Sequence, residues 1–147
     1  MSLVVPVASE QLAGRLRLAI TRTARRLRQE AGPELSPSQA SALATIERHE
    51  PLTPSELAER ERVKRPTATR VIANLEAAGL IARAADPVDA RSARLRLTPA
   101  GRSLLQRLRR RKTAYLARRL RSLTPGELDA LERAAAVLER VLEEEQR

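Results

Sequence analysis

Apolar residues recur at helical spacing at both ends of the chain. Residues 1–8 show no period, and Ser9 then suits the N-cap of a helix that reaches about residue 30. Its apolar stripe consists of Leu12, Leu16, Ala19, Thr23 and Leu27. A second stripe has heptad spacing after a Thr124 cap and consists of Leu128, Leu131, Ala135, Leu138 and Leu142. Because these stripes offer more apolar surface than one small chain needs, they predict a dimer interface.

Two shorter helices are predicted by their caps in the centre of the chain. Ser36 and Pro37 are typical of an N-cap followed by the first helical position. The buried face of this helix consists of Ala40, Leu43, Ala44 and Ile46. The helix ends near His49, whose predicted role is structural, at the helix C-terminus. Thr53 and Glu56 have the spacing of a capping box and open a helix that ends around residue 61 or 62.

A helix-turn-helix is predicted directly after the capping box. Pro66 begins the next helix, which extends to residue 78, where Gly79 stops it. Its buried face consists of Ala68, Val71, Ile72, Leu75 and Ala78, and its open face of Thr67, Arg70 and Asn74, with Thr69 at the edge. Residues 63–65 leave room only for a tight turn. Polar and cationic side chains at an open helix N-terminus suit insertion into a nucleic-acid groove.

A β-hairpin follows, because the apolar period changes from helical to alternating. Residues 80–84 are short and apolar, and residues 86–92 form a charged tip rich in turn residues. Strict alternation then places Arg94 and Arg96 on one face of a strand and Leu95 and Leu97 on the other. Thr98 caps a long helix that continues to about residue 121. The hairpin is therefore predicted to be a wing beside the helix-turn-helix.

The charge is large and unevenly distributed. The 147 residues carry a formal net charge of +10, and residues 60–121 hold 18 basic and four acidic side chains. Residues 127–147 hold seven acidic and three basic ones. A strongly basic chain indicates a polyanionic partner, with nucleic acid first and an anionic membrane surface second. A genome rich in arginine codons would raise the arginine count, but it would not explain this distribution.

Missing residue types exclude several functions. The chain has no cysteine, one histidine and one tyrosine, and its only methionine is the first residue, so thiol catalysis and thiol sensing are excluded. We expect no enzyme activity, no cofactor and no metal, because no nucleophile, acid–base or ligand cluster is evident. No stretch approaches the roughly 20 apolar residues of a membrane span. The N-terminus lacks the basic start of a signal peptide, so a cytoplasmic protein is expected.

The order of elements resembles the MarR family of bacterial transcription regulators. Two segments carry the resemblance, RPTATRVIANLEAAGLIAR at residues 65–83 and DPVDARSARLRLTPAG at residues 86–101. The resemblance implies one MarR-type domain over residues 1–147, mainly α with a small β-hairpin wing. Residues 36–98 would be the winged helix-turn-helix, 99–121 a long connecting helix, and 9–31 and 125–147 the dimerisation helices. It also implies a homodimer that binds pseudopalindromic double-stranded DNA, usually as a repressor released by a small ligand.

Individual residues receive roles under this hypothesis. The helix beginning at Pro66 enters the major groove, and the wing contacts the DNA backbone or the minor groove. The DNA-binding candidates are Ser38, Lys64, Arg65, Thr67, Thr69, Arg70, Asn74, Asp89, Arg91, Arg94 and Arg96. By analogy Arg91 enters the minor groove, and Asp89 orients an arginine. The dimerisation candidates are Leu12, Leu16, Leu27, Leu128, Leu131, Leu138 and Leu142.

Several alternatives stay open. Asn74 is as compatible with ordinary hydrogen bonding on a helix surface as with base contact, and Arg70 could instead pair with Glu76. The basic run at residues 107–112 favours a solvated or intersubunit surface over phosphate contact. A small-molecule effector would have only Tyr115 as an aromatic partner, or arginines and aliphatic walls, or there is no effector. The rival function is an architectural DNA-binding protein that is indifferent to sequence, followed by a helical protein-interaction module.

Overall fold

The computed structural model describes residues 7–89 and 92–145, which form helices and one antiparallel hairpin. In chain order the elements are α1 (Val7–Ala31), α2 (Pro37–His49), α3 (Pro54–Glu61), α4 (Arg65–Ala77), β1 (Ile81–Ala85), β2 (Ala93–Leu97), α5 (Pro99–Leu120) and α6 (Pro125–Glu145). This order confirms the predicted mainly α fold with a helix-turn-helix and a small β-hairpin wing.

The helices start earlier than predicted at two places. α1 begins at Val7, so Ser9 lies inside its first turn and is not the N-cap. Val7 and Ala8 are compatible with helix, and serine is tolerated in a first turn. α4 begins at Arg65 with Lys64 as its N-cap, so Pro66 is the second helical residue. Proline fits there because the N–H groups of the first turn have no partner within the helix.

The predicted caps of α2 and α3 are confirmed. The Ser36 hydroxyl accepts the Gln39 backbone N–H at 3.2 Å, and the Gln39 side chain accepts the Ser36 N–H at 2.9 Å. Thr53 and Glu56 make the same reciprocal pair at 3.1 and 3.4 Å. Each cap satisfies a backbone donor that the helix leaves open, which is typically worth about 1 kcal/mol.

Gly79 ends α4 as predicted, through the backbone geometry that favours glycine. Its φ of 73° lies in the left-handed region. Its N–H donates to the Glu76 carbonyl at 2.9 Å, and the Leu80 N–H donates to the Leu75 carbonyl at 3.0 Å. These two bonds are the Schellman pattern, which satisfies carbonyls that the helix end leaves open.

Two predictions at this helix end are wrong by one residue. The N–H of Leu80 still bonds back to α4, so β1 begins at Ile81 and ends at Ala85. Ala78 was predicted on the buried face of the helix, but it is exposed because α4 ends at Ala77.

The hairpin has the alternation that the sequence predicts. β1 pairs antiparallel with β2, and Ile81 lies opposite Leu97. Leu95 and Leu97 are buried, whereas Arg96 is exposed. Leu52 adds a feature that the pattern did not predict. It pairs with Leu95 through two backbone hydrogen bonds of 3.3 and 2.7 Å and so ties the hairpin to the segment between α2 and α3.

One apolar core holds the helix-turn-helix and the hairpin together. Its largest fully buried side chains are Leu43, Ile46, Leu52, Leu57, Ile72, Leu75 and Leu95. They come from α2, α3, α4, β2 and the Leu52 segment, and α5 adds Leu104, Leu105 and Leu108. Because α4 and the hairpin share this core, their relative position is fixed by close packing.

The chain divides into two compact units, residues 1–112 and 113–147, within α5. In the second unit no residue of α6 is buried, and Leu128, Leu131 and Leu142 are exposed. Leu138 is half-buried. None of the described helices is both long and apolar enough to cross a membrane.

The apolar residues of α1 are also largely uncovered. Leu12 and Leu16 are exposed, whereas Leu27 is half-buried. Leu18 and Ile20 are exposed as well, although they lie outside the predicted stripe. The apolar surface of α1 is therefore broader than the sequence period indicated.

Candidate nucleic-acid interface

The exposed face of α4 carries a row of polar and cationic side chains. Arg65, Thr69, Arg70 and Asn74 are all exposed, and their positions follow the helical period. Thr67, predicted on the same face, is instead half-buried and lines a cavity behind the helix. Four of the predicted contact residues are therefore exposed on this face, and Thr67 lies half-buried at its edge.

Arg70 is not paired with Glu76, which was the alternative role proposed for it. Glu76 accepts a hydrogen bond from Nε of Arg83 at 2.7 Å, and this ion pair joins α4 to β1. Within the part of the chain that the structure describes, Arg70 makes no side-chain hydrogen bond or ion pair. Its guanidinium is therefore available to a ligand outside the chain.

Glu61 anchors the first helix of the helix-turn-helix to α2. Its two carboxylate oxygens accept the hydroxyl groups of Ser41 and Thr45, each at 2.7 Å. Glu61 is the last residue of α3, so this contact sets the direction in which the chain enters the turn to α4. No local sequence pattern indicates this role, because the partners lie 20 and 16 residues away in the chain.

The base of the wing tip is held by Asp86. Its carboxylate accepts the Val88 backbone N–H at 2.9 Å and pairs with Nε of Arg94 at 3.0 Å. These hydrogen bonds, the backbone one foremost, lower the pKa of Asp86. The pairing uses part of the donor set of Arg94, so its predicted phosphate contact would have to use the remaining N–H groups.

The other predicted wing residues are Asp89, Arg91 and Arg96. Arg96 and Asp89 are exposed, Arg96 on the outer face of β2. Arg91, the predicted minor-groove residue, lies outside the described residues. Arg94 makes its ion pair with Asp86. The contacts of the wing with DNA stay predictions.

Arginines of α5 are bound by glutamates from α2 and the segment before it. Nη1 of Arg109 lies 2.9 Å from Glu47, and Nη1 of Arg111 lies 2.5 Å from Glu34. The Arg111 hydrogen bond lowers the pKa of Glu34. Part of the basic run at residues 107–112 is therefore neutralised inside the chain, an arrangement that the sequence analysis did not consider.

Glu50 connects the wing to the start of α5. One of its oxygens accepts the Leu97 backbone N–H at 2.7 Å, and the other pairs with Arg102. Leu97 ends β2, and Arg102 lies in the first turns of α5. A single carboxylate at the end of α2 thus holds the end of β2 and the start of α5 together.

His49 has a cationic neighbour. Its Nε2 lies 3.3 Å from Nη1 of Arg60. Desolvation and the charges of Arg60 and Arg48 lower the pKa of His49. The neutral imidazole is therefore favoured at the C-terminal end of α2.

Two cavities lie beside these elements. The first, of about 300 Å³, lies among α2, α3 and α4 and is lined by apolar residues with Ser38, Ser41, Glu61 and Thr67. The second, of about 330 Å³, lies where α1, α2 and α5 approach one another. Its walls combine the cations Arg25, Arg28 and Lys112 with the apolar residues Leu35, Ala40 and Leu108.

Tyr115 belongs to the second compact unit. Its hydroxyl accepts a hydrogen bond from Nε of Arg119 at 3.3 Å, and the Arg119 guanidinium carbon lies 5.6 Å from its ring centroid. The ring is half-buried. The only tyrosine of the sequence therefore has an arginine neighbour one helical turn away.

Comparisons with known proteins agree on one family. A family model described as the MarR family matches residues 35–93. An uncharacterised HTH-type transcriptional regulator of Mycobacterium bovis is 38% identical over 135 residues, which are 91% of this chain and 94% of the relative. An HTH-type transcriptional regulator of Mycobacterium tuberculosis shows the same identity and coverage.

Solved structures show the same fold. A crystal structure from Pseudomonas aeruginosa, assigned as a transcriptional regulator, has a TM-score of 0.84 and 34% identity, covering 94% of this chain and 98% of that one. Streptococcus pneumoniae FabT, solved in complex with DNA, has a TM-score of 0.66 and 21% identity, covering 92% and 98%. With a helix-turn-helix, a paired wing and relatives that match over nearly their whole length, the chain belongs to the MarR family of transcriptional regulators.

Proposed function

We propose that this regulator binds double-stranded DNA in a sequence-specific manner and, as a homodimer, represses transcription from a pseudopalindromic operator. The observation that carries the proposal is the exposed row Arg65, Thr69, Arg70 and Asn74 on α4. Arginine and asparagine make bidentate hydrogen bonds to guanine and adenine edges in the major groove. Membership in a family of transcriptional regulators agrees with the prediction that the chain is not an enzyme.

A solved relative supports DNA as the partner. FabT was crystallised with DNA, and the fold of this chain is similar to it. The basic balance of residues 60–121 adds a sequence-independent attraction to phosphates. The glutamates on α2 and the segment before it neutralise part of the α5 run, which leaves the exposed cations of α4 and its preceding turn as the principal candidates.

The test is a selection of bound sequences from random duplexes, followed by affinity measurements at several salt concentrations. We expect one enriched pseudopalindrome whose half-sites lie about one helical turn apart. In vitro transcription from a promoter overlapping that sequence should fall when the protein is added. An architectural protein would instead enrich no sequence and bind every duplex with the same salt dependence.

The homodimer is supported by the uncovered apolar surfaces of α1 and α6. Exposed leucines and valines on two long helices are typical of an interface, since monomers rarely expose large apolar patches. Leu131→Gln should shift the sedimentation equilibrium toward monomer. The control variant Glu132→Gln places the same glutamine side chain at the neighbouring position, which lies outside the heptad stripe. It should leave the dimer intact. Equal behaviour of the two variants would contradict an interface built on this stripe.

Ligand release is supported by the cavity that Arg25, Arg28 and Lys112 line. Cations beside aliphatic walls suit a small anion with an apolar body. Such a ligand can bind through these groups without the aromatic residues that the chain largely lacks. Benzoate should raise the melting temperature of the protein and release the selected duplex, whereas benzylammonium, of similar size and opposite charge, should do neither. If Arg28→Gln responds to benzoate as the wild type does, this cavity is not the site.

A further inference from the structure

The turn between α3 and α4 contains a backbone conformation that is unusual for its residue. Arg62 has φ 54° and ψ 44°, in the left-handed region. Its N–H donates to the Glu59 carbonyl at 3.1 Å, and the Val63 N–H donates to the Ala58 carbonyl at 3.0 Å. This is the Schellman pattern, and Arg62 occupies the position where glycine is usual because a β-carbon is unfavourable there.

The other left-handed positions of the described chain are filled as expected. Gly32 and Gly79 have φ values of 98° and 73°, and Arg62 is the one residue with positive φ in residues 7–89 and 92–145 that is not glycine. The arginine therefore carries a conformational cost that glycine would avoid. A residue kept in such a conformation points to a use for its side chain.

No contact inside the described chain offsets that cost. The Arg62 side chain is exposed and makes no hydrogen bond or ion pair with residues 7–89 or 92–145. The adjacent carboxylate of Glu61 does not pair with Arg62, and its two oxygens instead accept hydroxyl groups of α2. The guanidinium of Arg62 is therefore directed to solvent without a compensating charge.

Its position places it beside the candidate interface. Lys64 caps α4 and Arg65 is the first residue of that helix, so three exposed cations lie within four residues at the entry to α4. A guanidinium presents paired donors that match a phosphate group. Contacts to phosphate groups fix the position of a protein on the duplex without reading bases.

We propose that Arg62 is a phosphate-anchoring residue of the DNA complex, so that its left-handed conformation lowers the stability of the free protein and is compensated only on binding. This inference rests on the proposed function, in which α4 enters the major groove. It adds a contact residue in the turn, which the sequence pattern of α4 and the wing did not indicate.

Arg62→Gly separates the effect on stability from the effect on DNA binding. Glycine adopts the left-handed conformation without strain, and the substitution also removes the guanidinium. The variant should melt at a higher temperature without DNA, yet bind the selected operator about fivefold more weakly at 0.1 M salt. The slope of log K against log salt should become less negative by about 1.8, because the proposed dimer loses one phosphate contact, worth about 0.9, in each half-site. Arg62→Lys keeps the charge and the strained backbone, so it should retain the wild-type melting temperature and most of the slope.

Two controls make the outcome decisive. Arg110→Gln removes one exposed positive charge from α5, and its salt slope should stay at the wild-type value. An unchanged affinity and slope for Arg62→Gly, or a lower melting temperature, would overturn the proposal. If Arg70→Ala weakens binding in the same assay while Arg62→Gly does not, only the role of Arg62 fails. If the wild type binds no duplex, the proposed function fails with it.

Discussion

The α-carbon of Gly101 faces the backbone carbonyl of Leu80 so closely that a β-carbon on Gly101 would overlap its oxygen and lie 3.1 Å from its carbon. The same carbonyl accepts the Thr98 N–H at 3.0 Å, and the Thr98 hydroxyl donates to the Gly79 carbonyl at 2.6 Å. The start of α5 is therefore packed directly against the turn that ends α4. Only a residue without a side chain allows this approach.

Gly101→Ala should destabilise the protein, because backbone on both sides must move to admit the methyl group. Overpacking of this kind typically costs about 1–3 kcal/mol. Thermal unfolding at fixed protein concentration measures the effect. Gly126→Ala is the matched control, since its β-carbon would meet only the Thr124 hydroxyl at 4.0 Å. Equal melting temperatures for the two variants would contradict the close approach.

Glu61→Gln should lower both stability and DNA affinity. The amide offers one oxygen in place of two, so one of the hydroxyls of Ser41 and Thr45 loses its acceptor and the end of α3 is less firmly held. Hydrogen bonds to a charged group are worth about 1.5–3 kcal/mol, and partial exposure reduces that figure here.

Glu59→Gln makes the same charge change on α3 and controls for electrostatics. Glu59 is exposed and makes no side-chain hydrogen bond or ion pair with the described residues. Removing a negative charge near DNA should by itself strengthen binding slightly. Urea unfolding and operator titration should therefore separate the variants, and an equal response would show that the Glu61 contacts do not position the helix-turn-helix.

The wing should loosen in acid because of Asp86. Its pKa is lowered in the folded protein, so the charged carboxylate stabilises the wing above the ordinary pKa, near 4, and that contribution is lost as the pH falls through the lower folded value. The protection factor of the Val88 amide, which is the intrinsic exchange rate divided by the observed rate, should fall over that interval. Asp86→Asn should remove the dependence, whereas Asp129→Asn on α6 should retain it. Equal protection factors for the Val88 amide at pH 3 and pH 5 in the wild type would contradict this role.

Arg70→Ala should reduce operator affinity by about 1–3 kcal/mol for each half-site if its guanidinium reads a guanine, and it should relax the preference at one base position in each half-site. Operator variants titrated at fixed salt provide the measurement, and Arg70→Lys tests the bidentate geometry. A loss that is uniform over all sequences, with a less negative salt slope, would instead identify a phosphate contact. No loss at all would remove Arg70 from the interface.

Local signals in the sequence determined most of the fold. Three kinds of signal depend on residues within a few positions of one another: the Ser36 and Thr53 caps, the Gly79 stop and the Arg94–Leu97 alternation. They can therefore be recognised without the tertiary structure. The errors fell at boundaries. α1 started before Ser9, and β1 started one residue late because the Schellman bonds of Gly79 and Leu80 extend the end of α4.

Tertiary structure alone decided which charges are available. Glu61 binds Ser41 and Thr45, Asp86 binds Arg94, and Glu47 and Glu34 bind arginines of α5. A carboxylate and its partner can be tens of residues apart in the chain, and nothing in their local sequence records the pairing. The number of positive charges is therefore evident from the sequence. Only the folded chain shows that Arg62, Arg65 and Arg70 stay unpaired among the described residues.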